Sequence, residues 1–393
     1  SAAVVPPGSF SDLDLNPRVD FTYVDMGAYE KHLAVPDANG IVYVDSSNVL
    51  NEGDGSSWDK AITEVADALK EAKLNTSVTQ VWVAKGTYKP LYLPNADFSL
   101  VSCPVSNRDN TIVLVNNVKV YGGFAGGETD TSGRDFITNQ TILNGDIGLA
   151  NNNTDNCYHV VISSGAVGSA SLNGFTVING NANDGSTINV NGQSIRKDNG
   201  GGISNAYSSP VISNCIISGN HSSGNGGGMN NSYSSPIVTN CTISGNSLSL
   251  SGGGMNNYFS LPSLTNCIIS GNSAFEGGGI YNASSSPTLF NCLISGNKTN
   301  TNGGGIYNYS TSNPVIINTT IAANKADNYG GGIFNSTSTP VLKNSIMWGN
   351  MSILAYSFVG VVSNCIIKGG HTGVENYDID PLFVSPQDPA AAP

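Results

Sequence analysis

Charge is what this chain has least of. Asp, Glu, Lys and Arg together make up 11% of its 393 residues. Between Asn199 and Asn350 the only acids are Glu276 and Asp327, the only lysines are Lys298, Lys325 and Lys343, and His221 is the lone histidine. Arginine is absent from that stretch. Carbohydrate-cleaving centres group acids, bases and often calcium ligands on one face, and this stretch offers few. The chain is therefore expected not to be an enzyme, to hold no metal and to need no cofactor. No apolar run reaches the length of a membrane-spanning helix, so no membrane span is expected. The opening SAAVVPPGSF has neither a basic start nor an apolar stretch, so no signal peptide is read there, and the chain is expected to be a mature product or a fragment. The charge that is present is acidic, with 28 Asp and Glu against 16 Lys and Arg and a net charge of −12. Nucleic acid is excluded as an expected partner, because its phosphates would be repelled.

Glycine is abundant instead, at 47 residues, beside a 39% hydrophobic fraction. Plentiful Gly, Asn and β-branched residues point to many short strands joined by tight turns. The glycines also repeat. A Gly-Gly-Gly triplet starts at residues 200, 226, 252, 277, 303 and 330, in steps of 26, 26, 25, 26 and 27. Each triplet leads to an Asn (Asn205, Asn231, Asn257, Asn282, Asn308, Asn335), a proline (Pro210, Pro236, Pro262, Pro287, Pro314, Pro340), a second Asn (Asn214, Asn240, Asn266, Asn291, Asn318, Asn344) and a third (Asn220, Asn246, Asn272, Asn297, Asn324, Asn350).

Around the second Asn the pattern has period two. Ile212, Val238, Leu264, Leu289, Ile316 and Leu342 precede it by two, and Ile217, Ile243, Ile269, Ile294, Ile321 and Met347 follow by three. Such alternation marks strands with one buried face. Each unit has room for about three short strands and three turns, one coil of a solenoid. A 3.6-residue pattern is missing, which excludes helical repeats, and a propeller blade needs roughly 40–50 residues. The fold class expected is all-β, a right-handed parallel β-helix, with coils about 4.8 Å apart and equivalent residues in ladders. Asn suits such ladders because it tolerates left-handed bends and its amide can bond to the neighbouring coils. One coil cannot bury its apolar face alone, which is why the sequence repeats.

Residues 58–73 read as a single amphipathic helix, with Ser57 as N-cap and Ala61, Ile62, Val65, Ala66, Leu69 and Ala72 on its apolar face. Placed before a solenoid, it is expected to cap the open first coil.

The GGGI/GGGM triplets followed by N-C-x-I-S-G-N resemble the right-handed parallel β-helix repeats of bacterial surface proteins, and are similar to the pattern of chlamydial polymorphic membrane proteins. The stretches 42–72, 81–90 (VWVAKGTYKP), 120–129 (VYGGFAGGET) and 172–183 resemble the start of secreted β-helix proteins of Bacteroidetes-type bacteria. VDMGAYE (24–30) and DIDPLFV (378–384) resemble their C-terminal surface-sorting region. The resemblance implies an extracellular or cell-surface protein of a Gram-negative bacterium, and it is specific for fold rather than activity. In those relatives the DPLF segment precedes the VDMGAYE segment, whereas here the order is reversed. The expected organisation is a module-junction segment (1–40), a cap and first coils (41–130), the β-helix (131–384) and a tail (385–393). Residues 1–30, with Asp12, Asp14, Arg18, Tyr23, Asp25 and Tyr29, together with Pro381 and Phe383, are the expected segment for end-to-end self-association or for contact with neighbouring modules.

Candidate chemistry within the repeat is sparse. Glu276 and Asp327 fall about two coils apart at similar coil positions, near the separation of an inverting carboxylate pair, though solvated turn residues are the commoner meaning. Asp54 in EGDGSS reads as an Asp-Gly turn, with loop calcium as the alternative. Asp12, Asp14, Asp54, Asp59, Asp146 and Asp155 form no recognisable metal motif. Cys215, Cys241, Cys267 and Cys292, with Thr319 and Ser345 at the same rung, read as buried small residues packed once per coil. Cys103 and Cys157 could pair. Triplets such as Asn308-Tyr309-Ser310 arise from Asn- and Ser-rich turns, so glycosylation is not a strong expectation. Two aromatic rungs, Tyr207/Tyr233/Phe259 and Tyr281/Tyr307/Phe334, are expected to face outward; stacking that stabilises a sheet face is the commoner meaning, with a stripe for a partner or for glycans as the alternative. The expected function is a structural or adhesive rod, with a carbohydrate-binding or carbohydrate-degrading protein as the alternative.

Overall fold

The computed structural model describes residues 34–48, 53–94, 107–354 and 358–384, and the backbone of a small antiparallel hairpin, Val19–Asp20 with Tyr23–Val24. One coil shows how the repeat folds. Ile280–Ala283, Thr288–Phe290, Leu293–Ser295 and Lys298–Thr299 are four short strands, each paired in parallel with its equivalent in the next coil. The stacked coils make four sheets of eight, eleven, ten and seven strands, which define a right-handed parallel β-helix. The fourth strand exceeds the expected three. It is two residues long, too short to leave an alternating signature.

Inside, the apolar columns read from the sequence form one continuous core from Ala34 to Ile367. The uneven repeat lengths are absorbed at turns. The 27-residue coil carries its extra residue at the corner where both Ser310 and Thr311 take positive φ.

Only one of the three Asn columns uses the left-handed region. Asn214, Asn240, Asn266, Asn291, Asn318 and Asn344 have φ between 50° and 55° at the bend between the eleven- and ten-stranded sheets. The third column is buried from Asn220 to Asn324 and half-buried at Asn350, and its bends are made by the preceding Gly219, Gly245, Gly271, Gly296 and Gly349, with Ala323 in the remaining coil. From Asn246 onward each amide oxygen accepts from the backbone and side chain of the Asn one coil earlier, as Asn297 does from Asn272 at 3.1 and 2.9 Å. The column from Asn205 to Asn335 is a chain of amide-to-amide bonds of 2.7–2.9 Å. Asn308 belongs to it and is fully buried, so its amide is not available for glycosylation.

The cysteine rung does more than pack. Cys215 and Cys267 donate their thiols to main-chain carbonyls at 3.2 and 3.3 Å. Thr319 and Ser345 repeat the bond at 3.0 and 2.6 Å. Backbone N–H groups donate along the column into the next sulfur or hydroxyl, ending at Cys365. The residues share a hydrogen-bonding role as well as a size. Cys103 lies outside the described residues, and Cys157 is a buried thiol.

The N-terminal end departs from expectation. The α-helix, α1, spans Val65–Leu74, and Ser57 makes no side-chain cap. Ile62 is drawn instead into a parallel bridge with Val44, donating to the Tyr43 carbonyl at 3.0 Å. Sheet pairing therefore buries Ala61 and Ile62, and α1 places Val65, Ala66, Ala68, Leu69 and Ala72 in the main core. The edge strand Ile41–Val44 is shielded by this segment and not by the helix alone. No helix among the described residues is long and apolar enough to cross a membrane.

Candidate functional site

The corner between the eight- and eleven-stranded sheets carries Tyr207, Tyr233 and Phe259 on successive coils. Their φ values are 51°, 50° and 46°. Non-glycine residues in this region cost about 1–3 kcal/mol each, and bulky ones are the worst suited. The same corner holds Ser284 in the next coil. Stacking offsets the strain. Tyr233 lies 4.8 Å from Tyr207 at 4° and 5.2 Å from Phe259 at 2°, with Tyr258 edge-on to both Tyr233 and Phe259. The four rings remain 43–51% exposed. Because the rings face one another, the ladder presents edges and tyrosine hydroxyls sideways, as a ridge. It ends at the small side chain of Ser284.

The second expected stripe is only partly on the surface, with Tyr281 and Phe334 half-buried. Tyr307 is buried, packed edge-on between Tyr281 and Phe334 at 5.1 and 4.9 Å. The first glycine of each triplet folds back over this rung. A Cβ on Gly303 would lie 2.7 Å from that of Tyr307, and one on Gly277 3.0 Å from that of Tyr281. Tyr309, two residues on from Tyr307, is exposed instead.

Glu276 and Asp327 do not share a column. Glu276 bridges Ser251 and precedes its triplet directly, whereas Asp327 follows the strand Lys325–Ala326, in line with Asn300. Burial pushes the Glu276 carboxyl above its ordinary range. Asp54 forms a turn, accepting from the backbone and hydroxyl of Ser56 at 2.9 and 2.6 Å, with Lys60 at 3.7 Å. Its carboxyl is held below the usual range; burial opposes this, and the Ser56 bonds and Lys60 outweigh it. Of the expected assembly residues, Asp12, Asp14, Arg18, Asp25 and Tyr29 lie outside the described residues, and Tyr23 sits in the hairpin. Pro381 and Phe383 are half-buried beside the exposed Leu382 and Val384.

A polar cluster in the first coils left no trace in the sequence reading. The strand registers place Asn110 and His159 in the column that later coils fill with the middle glycine, beginning at Gly201. Both are buried, and both Asn110 amide atoms and His159 Nε2 lack partners. His159 Nδ1 donates to the Gly200 carbonyl at 2.9 Å, and burial pushes its pKa down to about 4. Asp109 pairs with Lys197 at 2.9 Å. The cluster is closed to a polymer.

Residues 181–321 match a family described as right-handed β-helix region. Comparison with curated protein sequences finds no match. Three solved structures are similar. Pectate lyase Pel9A is 14% identical, with 84% of this chain and 78% of that one covered, at a TM-score of 0.45. The pectin methylesterase from Aspergillus niger is 13% identical over 92% and 96%, at 0.34. PfbA, a surface adhesin of Streptococcus pneumoniae, is 11% identical over 77% and 74%, at 0.33. The likeness is one of fold. It corrects one expectation: two of these proteins are enzymes by name, so the scarcity of charge in the repeat is no ground for excluding catalysis from a chain of this fold.

Proposed function

We propose that this chain is a structural and adhesive extracellular rod, displayed on a Gram-negative surface, that engages a partner through the ridge of Tyr207, Tyr233, Tyr258 and Phe259. The observation behind this reading is the ladder itself: three exposed aromatic rings in register, held on left-handed backbone that Asn or Gly would occupy at less cost. Glycans are the first ligand class to test. The triple variant Tyr207→Asn, Tyr233→Asn, Phe259→Asn keeps residues that tolerate the bend. It should lose binding on a glycan array or to a host surface while its circular dichroism stays unchanged. Full binding by the folded triple variant would refute the reading.

End-to-end association is the second element. At the C-terminal end Val361, Val374, Tyr377 and Leu382 are more than half exposed, and Ile333–Ser336 is the last strand of its sheet. Negative-stain microscopy across a concentration series should give fibres with an axial repeat near one rod length, lost on deleting residues 1–30. Single rods at every concentration would exclude association.

A carbohydrate-cleaving alternative attaches to Glu276, a half-buried carboxyl directly before its glycine triplet. Product release from a polysaccharide by the native chain, abolished by Glu276→Gln, would favour it.

A further inference from the structure

The seven-stranded sheet begins at Asn181–Ala182, and the loop 145–156 is stacked against that first strand. The Asn181 N–H donates to the Cys157 carbonyl at 2.8 Å, and the Cys157 N–H donates to the Gly145 carbonyl at 2.9 Å, closing the loop. Two carboxylates hold its shape. Asp155 Oδ2 accepts from Leu149 N at 2.8 Å and from Asn152 Nδ2 at 3.1 Å. Asp146 Oδ2 accepts from Asn151 N at 2.9 Å. Asn181 reaches in from the strand and donates its amide to the Asn153 carbonyl at 2.6 Å.

Each of these groups uses one polar atom to build the loop and leaves an oxygen unused. Asp146 Oδ1, Asp155 Oδ1, Asn156 Oδ1 and Asn181 Oδ1 are all buried and have no hydrogen-bond partner. Asn156 and Asn181 are 5% and 6% exposed. The nearby cation does not answer them. Arg108 donates to the main-chain carbonyls of Asn156 and Asn181, both at 2.7 Å, and stacks on Tyr158. Four buried oxygens without donors, two of them on carboxylates, are expensive unless water or a positive centre satisfies them, and the carboxylates favour a cation. Hard divalent cations take such sets, and calcium accepts mixed carboxylate, amide and carbonyl oxygens in flexible geometry.

We propose that the loop 145–156 and Asn181 form a calcium site, with Asp146, Asp155, Asn156 and Asn181 as side-chain ligands, that fastens the loop to the start of the seven-stranded sheet. The remaining positions of a six- to eight-fold shell fall to loop carbonyls and water.

The test is calorimetric titration of the full chain with calcium chloride after dialysis against a chelator, alongside thermal unfolding. One calcium should bind with Kd on the order of 10⁻⁴–10⁻³ M, the range of extracellular modules, and raise the melting temperature. The double variant Asp146→Asn, Asp155→Asn should show neither effect. Should that variant fail to fold, Asn181→Ala, which keeps both carboxylates, should bind calcium more weakly with an unchanged circular dichroism spectrum. Absence of heat and of any melting shift in the native chain at about 10 mM calcium would overturn the site. So would equal affinity in the folded variants.

Discussion

Tyr233 and Phe259 stack 5.2 Å apart and 2° from parallel, and both stand on left-handed backbone. The strain is set against stacking of about 0.5–1.5 kcal/mol per pair. Tyr233→Asn loses the stacking but sheds much of the strain, so stability should change by about 1 kcal/mol or less. Tyr233→Ala loses the stacking and keeps the strain, and should be the less stable of the two in urea. Equal midpoints would mean that the left-handed backbone at this corner carries no strain for Asn to relieve.

The two kinds of Asn ladder should differ in strength. Asn272 is buried and donates to the Ile243 carbonyl and to Asn297 Oδ1, while its own oxygen accepts twice from Asn246. Asn272→Ala should cost about 2–4 kcal/mol, because it strands buried donors and a carbonyl. Asn266 is exposed, with φ 55°, and its replacement by Ala should cost about 1–2 kcal/mol, the penalty of a Cβ in that region. Denaturation midpoints in the reverse order would contradict the ladder assignment.

At the cysteine rung, Cys267 donates to the Val238 and Thr265 carbonyls at 3.5 and 3.3 Å. Serine preserves that bond, as it does at Ser345. Cys267→Ser should therefore cost less than about 1 kcal/mol, and Cys267→Val, which matches the size but cannot donate, about 1–3 kcal/mol. A more stable valine variant would return the rung to packing alone.

His159 makes stability depend on pH. Burial lowers its folded pKa to about 4 from the ordinary 6.5, so the unfolded chain takes up the proton first as pH falls. The stabilisation is complete above pH 6.5 and is lost progressively as pH drops towards 4, by up to about 3 kcal/mol. Urea midpoints between about pH 7 and about pH 5 should fall in the native chain. They should stay nearly flat in His159→Asn, which copies the Asn110 of the preceding coil. A flat native profile would show that the imidazole is not held neutral.

Much of this molecule could be read from one dimension. The triplets, the three Asn columns and the alternating Ile/Leu/Val positions fix the coil, its pitch and its core, because in a parallel stack each residue meets its own equivalent one repeat away. The ridge of Tyr207, Tyr233 and Phe259 was legible for the same reason. The twin rung of Tyr281, Tyr307 and Phe334 is less exposed than its alternation implies, with Tyr307 buried and the other two half-buried. Outward alternation in a strand says nothing about the backbone that folds back over it, and here the first glycine of each triplet does so.

The first coils were the least legible. Their period is broken by α1, by the loop 145–156 and by the hairpin Thr187–Val190 with Gln193–Arg196, so Asn110 and His159 fall in a glycine column that no fixed spacing reveals. The repeat, and with it the β-helix, follows from the order of residues alone, since stacking like coils lets each bury its apolar face. Only the tertiary structure decided which aromatic rung meets solvent, that Ile62 joins a sheet edge instead of a helix, and that oxygens from Asp146, Asp155, Asn156 and Asn181 are left buried around one loop. Those outcomes depend on contacts between segments at irregular separations, where no periodic signal exists to record them.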